Sequence, residues 1–245
     1  MDLFAALALQ IIYGIANLVL ISIGLAVIFG MMRVINLAHG EFLMLGGYTV
    51  IVSTNSGVNI WVAMLILAPL VVGLIGLIVE WVLIRFLYGR MVDTLLATWG
   101  LSLLFIGLIT TIFGAQTATT ISPPFGAISI GEFSSSGYEV FLIFVAIILV
   151  LLVYLLLRYT KLGLVARGTM QAADMAAALG ISTQRVYSMT FGIGSALSGL
   201  AGGLLAALQQ PSDLSPPTFD DDRDGTVSLD VRVLTVDDIV IENNY

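Results

Sequence analysis

The residues able to do chemistry in this chain are few, and they sit in separate patches. Val34-Ile35-Asn36-Leu37-Ala38-His39-Gly40-Glu41 gathers an amide, the sole histidine and a carboxylate between two apolar runs. Asn36 and His39 are three apart and share a face of any helix that contains both, so together they could line a cavity for a small polar solute. Metal binding is not expected. A zinc site needs three or four ligands, the chain has no cysteine and one histidine, and Glu41 lies roughly 200° around a helix from His39. The preferred reading of His39 is a packing residue bonded to a neighbouring backbone, as polar residues between membrane helices often are, ahead of direct solute contact. Thr98 and Ser102 are four apart. They could bond a small polar solute or simply their own i−4 carbonyls, and the second reading is preferred.

Gly194, Ser198 and Gly202 repeat every fourth residue, with Ser195, Gly199 and Gly203 alongside. Such ridges of small residues let helices approach closely, so these three are read as helix packing. Glu80, near the end of its apolar run, is expected to reach water or Arg85. There is no glycine-rich loop ending in Lys-Ser or Lys-Thr, no His-Glu-x-x-His and no Ser-His-Asp set. No catalytic residue, enzyme activity, metal or cofactor is therefore expected.

The elements that position these residues follow from composition. The 245 residues are 59% hydrophobic and only 10% charged, with no cysteine, and the mean hydropathy is +1.06. An average soluble domain carries about 25% charged residues, so a water-soluble domain and a disordered chain are both excluded. A helix needs roughly 20 apolar residues to cross a hydrocarbon core about 30 Å thick. Leu7–Ile28, Ile60–Val79, Thr94–Phe113, Val140–Leu157 and Val186–Leu208 qualify. Phe42–Val52 is too short alone and crosses only if the polar residues from Ile35 enter the membrane, which suggests a broken helix beside a protein-lined cavity. Pro69 should kink its helix. Trp61 and Trp81, 20 residues apart, fit the two interfacial aromatic belts.

The expectation is an all-α, polytopic helical membrane protein with about six transmembrane segments. If the N-terminus is outside, all seven basic residues of positions 1–210 face the cytoplasm, as the positive-inside rule asks. Residues 211–245 hold two basic and nine acidic residues and so carry the whole net charge of −7. This acidic tail, too polar to span and too short for a core, is expected to be disordered. No basic patch points to nucleic acid.

The segment 158–185 separates two spans. Leu164–Leu179 reads as one helix of mixed character, stopped by Gly180, with Ser182 or Thr183 capping the next helix. It is either an interfacial amphipathic helix lying against membrane lipid or a docking helix for a soluble partner. Gln171-Ala172-Ala173-Asp174-Met175-Ala176-Ala177-Ala178-Leu179-Gly180-Ile181 resembles the cytoplasmic coupling loop of ABC-importer permeases, and specifically the branched-chain amino-acid and urea permease family. Val34–Glu41 with Met44-Leu45-Gly46-Gly47-Tyr48 resembles the same family. Thr94–Ser102 with Phe113-Gly114-Ala115-Gln116 is closer to its urea-type members.

The resemblance covers about residues 5–210. It implies a transmembrane permease domain at 1–210 in the cytoplasmic (inner) membrane. It also implies separate ATP-binding cassette ATPase subunits, a second homologous permease subunit and an extracellular or periplasmic solute-binding protein as partners. Carried over by motif, Arg167, Gln171, Asp174, Ala176, Ala177, Gly180 and Ile181 would contact the ATPase. Asn36, His39, Thr98 and Ser102 are the candidates for the substrate pathway. The expected function is import of branched-chain amino acids or urea-like amides by alternating access; the alternative is a passive channel or helical scaffold without ATPase coupling. After about residue 210 the chain departs from the family pattern of further apolar spans and reads as truncated or altered.

Overall fold

The computed structural model describes residues 2–114, 127–130 and 133–207. The acidic tail at 211–245 lies outside the described residues. Five helical stretches are long and apolar enough to cross a membrane: Leu7–Met32, Ile60–Phe86, Met91–Phe113, Gly137–Tyr159 and Thr183–Ala206. A sixth, shorter helix lies between the first two. The architecture is that of a polytopic helical membrane protein.

Helix α1 (Asp2–Met32) stops where Arg33 turns into the left-handed region, φ 53°, and its N–H donates to the Phe29 carbonyl at 2.9 Å. Val34–Ala38 is not helical, and α2 (His39–Asn55) begins after it. At 17 residues α2 is about 25 Å long, short of the hydrocarbon thickness. The segment 35–52 is thus broken at its start. Its C-terminal end runs into the turn-rich Ser53–Asn59 stretch, because the Thr54 and Ser56 hydroxyls fold back onto the Val50 and Val52 carbonyls.

The regular helical turn is altered just ahead of Pro69. Asn59 caps α3 (Ile60–Val62) by accepting from the Trp61 N–H at 2.9 Å. A π-helical stretch, Ala63–Leu67, follows, and then α4 (Ala68–Val82). Pro69 falls in the first turn of α4, directly after the π-helical stretch, and the helix runs on through it. The wider turn ahead of it absorbs the ring's clash with the preceding carbonyls. A 3₁₀ turn, Ile84–Phe86, leads to α5 (Met91–Phe113).

Between α5 and α6 the described residues form a two-stranded antiparallel hairpin, β1 (Ala127–Ile130) and β2 (Phe133–Ser136), with Ala127 opposite Ser136. Ser136 caps α6 (Gly137–Tyr159) by accepting from the Tyr138 N–H. The expected single helix over 164–179 is two helices. It starts earlier, as α7 (Lys161–Gln171), because the Thr160 hydroxyl accepts from the Gly163 N–H. It breaks at Ala172 (φ −148°, ψ 83°) before α8 (Ala173–Ala178). Ser182 is the N-cap of α9 (Thr183–Ala206), but its side chain makes no capping bond.

The core is built around α9, which packs against α4, α2 and α1 and is the most buried span. Small residues make this possible. A Cβ on Gly46 of α2 would strike the Gly199 backbone, and one on Gly202 would strike the Leu43 carbonyl. Gly194 faces Ile28 and Gly24 of α1, and Ser195 faces Gly76 of α4. Around this contact lie two apolar clusters. One contains Leu20, Met64, Tyr138, Leu142 and Leu204; the other contains Ile28, Phe42, Val72, Phe105 and Phe191. Phe42 meets Phe105 and Phe191 edge-on at 5.8 and 6.0 Å, the geometry aromatic quadrupoles favour.

Candidate functional site

The non-helical Val34–Ala38 leaves peptide groups without intrahelical partners inside an apolar protein, where an unmet donor or acceptor costs about 1–3 kcal/mol. α5 meets part of this demand. Thr98 Oγ1 accepts from the Leu37 N–H at 3.2 Å and lies 3.5 Å from the Ile35 carbonyl and 3.1 Å from the Leu95 carbonyl. Asn36 Oδ1 accepts from the Ala38 N–H at 3.1 Å. One turn along α5, Ser102 donates to Glu41 Oε1 at 2.6 Å. Asn36, Thr98 and Ser102 are all buried. Thr98 and Ser102 therefore face α2 and its broken start, and Thr98 bonds a carbonyl of its own helix only in part.

Two polar atoms of this cluster are buried without a partner: Asn36 Nδ2, a donor, and Glu41 Oε2, an acceptor. Such atoms are uncommon and mark candidate ligand or water positions.

His39 is also buried. Its Nε2 lies 2.7 Å from the Ile21 carbonyl of α1, and its Nδ1 lies 3.2 Å from Ser198 Oγ of α9. A carbonyl only accepts, so Nε2 carries a proton. Ser198 Oγ is also 2.9 Å from the Gly194 carbonyl. The histidine thus joins α1, α2 and α9 through one ring. Beside it a groove opens between α1, α2 and α9, lined by Ile21, Gly40, Met44, Tyr48, Gly202 and Ala206 among others. Asn36, His39, Thr98 and Ser102 do not line it.

Near the C-terminal end of α4 stands a fully buried carboxylate. Glu80 is 1% exposed, and the expectation that it reaches water or Arg85 is wrong. Tyr88 donates to Glu80 Oε1, and Ser188 of α9 donates to Oε2 at 2.5 Å. Two hydroxyls from the following turn and from α9 supply what water would have supplied. Arg85 lies instead over the Trp81 and Phe86 rings, 4.9 and 4.5 Å from their centroids. The Tyr88 hydroxyl, on the connection between α4 and α5, is held well above its ordinary pKa, first by burial and then by its bond to Glu80. The signal for this site was present in the sequence: a carboxylate inside an apolar run demands partners.

In the 158–185 segment, Arg167 is half-buried and donates to the Leu157 carbonyl. Gln171, Asp174, Ala177 and Gly180 are exposed, Ile181 is half-buried and Ala176 is buried. Gly180, at φ 84°, closes α8. Its N–H donates to the Ala177 carbonyl at 2.9 Å, and the Ile181 N–H donates to the Ala176 carbonyl at 3.0 Å. This pair of bonds is a Schellman motif. Met175 and Leu179 are 63% and 76% exposed, so α8 presents an apolar, alanine-rich face. Among the described residues no group of three or more His, Cys, Asp or Glu side chains could hold a metal ion.

Among the described residues, six membrane helices that include a glycine-lined central one, a polar break inside the bundle and a short helical pair between two spans define a multi-pass membrane protein of the permease type. The family model described as branched-chain amino acid transport system / permease component matches residues 7–220, and the chain belongs to that family. It is similar to the high-affinity branched-chain amino acid transport system permease protein LivH of Salmonella typhimurium, with 29% identity over 203 residues, covering 76% of this chain and 65% of that protein. It is also similar to the probable branched-chain amino acid transport permease protein LivH of Methanocaldococcus jannaschii, with 27% identity over 204 residues, covering 79% and 63%. The corresponding protein BraD of Pseudomonas aeruginosa is 29% identical over 204 residues, covering 76% and 65%. The chain thus spans just under two thirds of the length of these curated relatives. No solved structure matches it.

Proposed function

We propose that this chain is a membrane permease subunit of an ATP-binding cassette importer for branched-chain amino acids, sited in the cytoplasmic (inner) membrane with its N-terminus outside. The family match over residues 7–220 carries the reading. The exposed α7–α8 segment and the seven basic residues that this orientation gathers on one side support it. ATPase subunits grip Arg167, Gln171, Asp174, Ala176, Ala177, Gly180 and Ile181. A second homologous permease subunit completes the membrane part, and an external solute-binding protein delivers the solute. ATP hydrolysis belongs to the partner, and this chain transmits its motion.

In this mechanism nucleotide binding must favour one permease state over the other. Closure of the ATPase dimer pulls on α7 and α8, and α9, which begins five residues after Ala178, tilts with them. Asn36, His39, Thr98 and Ser102 shape the solute route, with Asn36 Nδ2 and Glu41 Oε2 the groups left free to meet a polar solute. A donor and a carboxylate oxygen suit a zwitterion. The urea-like stretch at Thr94–Ser102 favours urea or short amides as the second substrate class.

The test is uptake of labelled leucine and of labelled urea by cells expressing the chain with its ATPase and binding-protein partners, together with co-purification of the ATPase. Leucine uptake that requires ATP supports the reading. ATP-independent flux with no co-purifying ATPase would instead establish the passive channel.

A further inference from the structure

Where α4 gives way to α5, a pocket of about 340 Å³ opens against the start of α9. Arg85, Phe86 and Tyr88 line it from the α4–α5 connection, and Thr183, Gln184 and Tyr187 line it from α9. Its room falls at the lower end of the range that small-molecule sites occupy.

The lining is of three kinds. Arg85 is its one charged side chain. Nε of that residue is buried without a hydrogen-bond partner, and the guanidinium lies over the Trp81 and Phe86 rings. Ring faces attract a cation but bring no countercharge. Among the described residues the one ion pair is Arg90 with Asp93, so no carboxylate there is paired with Arg85. Glu80 is not a lining residue, and its two oxygens are taken by Tyr88 and Ser188. The second kind is aromatic: Phe86, Tyr88 and Tyr187 supply flat apolar walls, with the Tyr88 and Tyr187 ring centroids 4.8 Å apart. The third is neutral and polar. The Thr183 hydroxyl and the Gln184 amide make no side-chain hydrogen bond among the described residues, so both can meet a second polar atom. One cation, no carboxylate and three rings match a single negative charge on a compact apolar body. A guanidinium fork fits a planar carboxylate better than it fits a halide or another spherical anion.

We propose that this pocket binds a small organic carboxylate, with the carboxylate on the Arg85 guanidinium and the apolar body against Tyr88 and Tyr187. The occupant touches two elements at once. Tyr88 and Ser188 already tie the α4–α5 connection and α9 to Glu80, and a bound anion adds a second tie across the same seam. In the orientation proposed above the pocket faces the cytoplasm, and only that placement rests on the importer reading. Binding itself needs neither transport nor a partner.

The test uses the full-length protein purified in detergent, with 4-fluorobenzoate as the probe and fluorine NMR as the readout. Saturable binding to wild type is expected. The same body without the charge, 4-fluorobenzyl alcohol, and the charge without the body, inorganic phosphate, should each bind on the order of tenfold more weakly. Arg85→Gln should cost a similar factor and Arg85→Lys less, because an ammonium keeps the charge but loses the fork. Tyr187→Ala should weaken the probe about threefold. Arg90→Gln removes a cation outside the lining and should bind the probe as wild type does. Acid and alcohol bound equally well overturn the proposal, as does unchanged affinity in Arg85→Gln. Displacement of the probe by an equal concentration of phosphate would make this a site for a bare anion or a lipid phosphate, and would overturn the carboxylate assignment. Should Arg85→Gln fail to fold, photolysis of wild type with 4-azidobenzoate decides. Crosslinks at 85–88 and 183–187 that excess benzoate suppresses sustain the site, and crosslinks confined to other segments refute it.

Discussion

Ser102 of α5 and Glu41 of α2 are joined by a 2.6 Å hydrogen bond, although 61 residues separate them. α5 is otherwise the least buried of the five spans. Its hold on the bundle combines the Phe105 ring against Phe42 with one polar row, in which Thr98 meets the broken start of α2 and Ser102 meets the carboxylate one turn further on.

Ser102→Ala leaves both oxygens of the half-buried Glu41 without a protein partner. The expected cost is about 1–3 kcal/mol of stability, read as a lower melting temperature in detergent. Glu41→Gln and the double variant complete a cycle. The single effects should fail to add by more than about 0.5 kcal/mol, and additivity would show that the two side chains act independently.

Glycine substitutions should change sign with position. Gly202→Ala and Gly46→Ala each force a methyl into backbone of the facing helix, and each should destabilise by about 1–3 kcal/mol, the usual penalty for overpacking. Gly100→Ala and Gly107→Ala lie within α5 with open space around them, and each should stabilise by about 0.5–1 kcal/mol. Parallel thermal melts of the four variants check the contrast. Equal effects at all four positions would contradict the close approach of α9 to α2.

Much of this was legible beforehand. Long apolar runs fixed the spans, and the spacing of Gly194, Ser198 and Gly202 placed small residues on a helix that the structure buries at the centre. Isolated Asn36 and Glu41 at the head of a short run marked the broken helix. What escaped was pairing across long separations. Nothing local to Glu80 shows that Ser188, 108 residues on, will face it; only the crossing of α4 with α9 brings them together. The π-helical turn before Pro69 was equally hidden, because a proline states what its helix lacks and not how the preceding turn yields.

The Tyr88–Glu80 bond has a pH signature. Burial, and then Glu80, raise the Tyr88 pKa in the folded protein above its ordinary value of 10.0. The stability that goes with the raised value is fully present below pH 10 and is lost as pH climbs through the folded pKa. Melting temperature plotted against pH should fall above pH 10 for wild type. For Tyr88→Phe that component should be missing, on top of a pH-independent loss of about 1–3 kcal/mol from the orphaned Glu80 oxygen. Identical alkaline slopes in the two proteins would place the titration elsewhere.

Gly180 ends α8 in a conformation that side chains adopt at a cost of about 1–2 kcal/mol. Gly180→Ala should loosen the α8 terminus. In a reconstituted importer it should lower solute uptake severalfold while basal ATP hydrolysis by the partner continues. Gly180→Asn, better tolerated in this region, should retain more uptake. Unchanged solute-stimulated ATPase activity in Gly180→Ala would remove this turn from the coupling route.

Because α9 meets α2 with backbone nearly on backbone at Gly46–Gly199 and Gly202–Leu43, and meets α1 and α4 through further glycines and serines, these seams have little room for slippage. The four helices must travel as one stiff body when the chain entering α9 is displaced. Relative motion within the protein is then left to α5 and α6, the two long helices outside that block, whose sliding surfaces are mostly lipid.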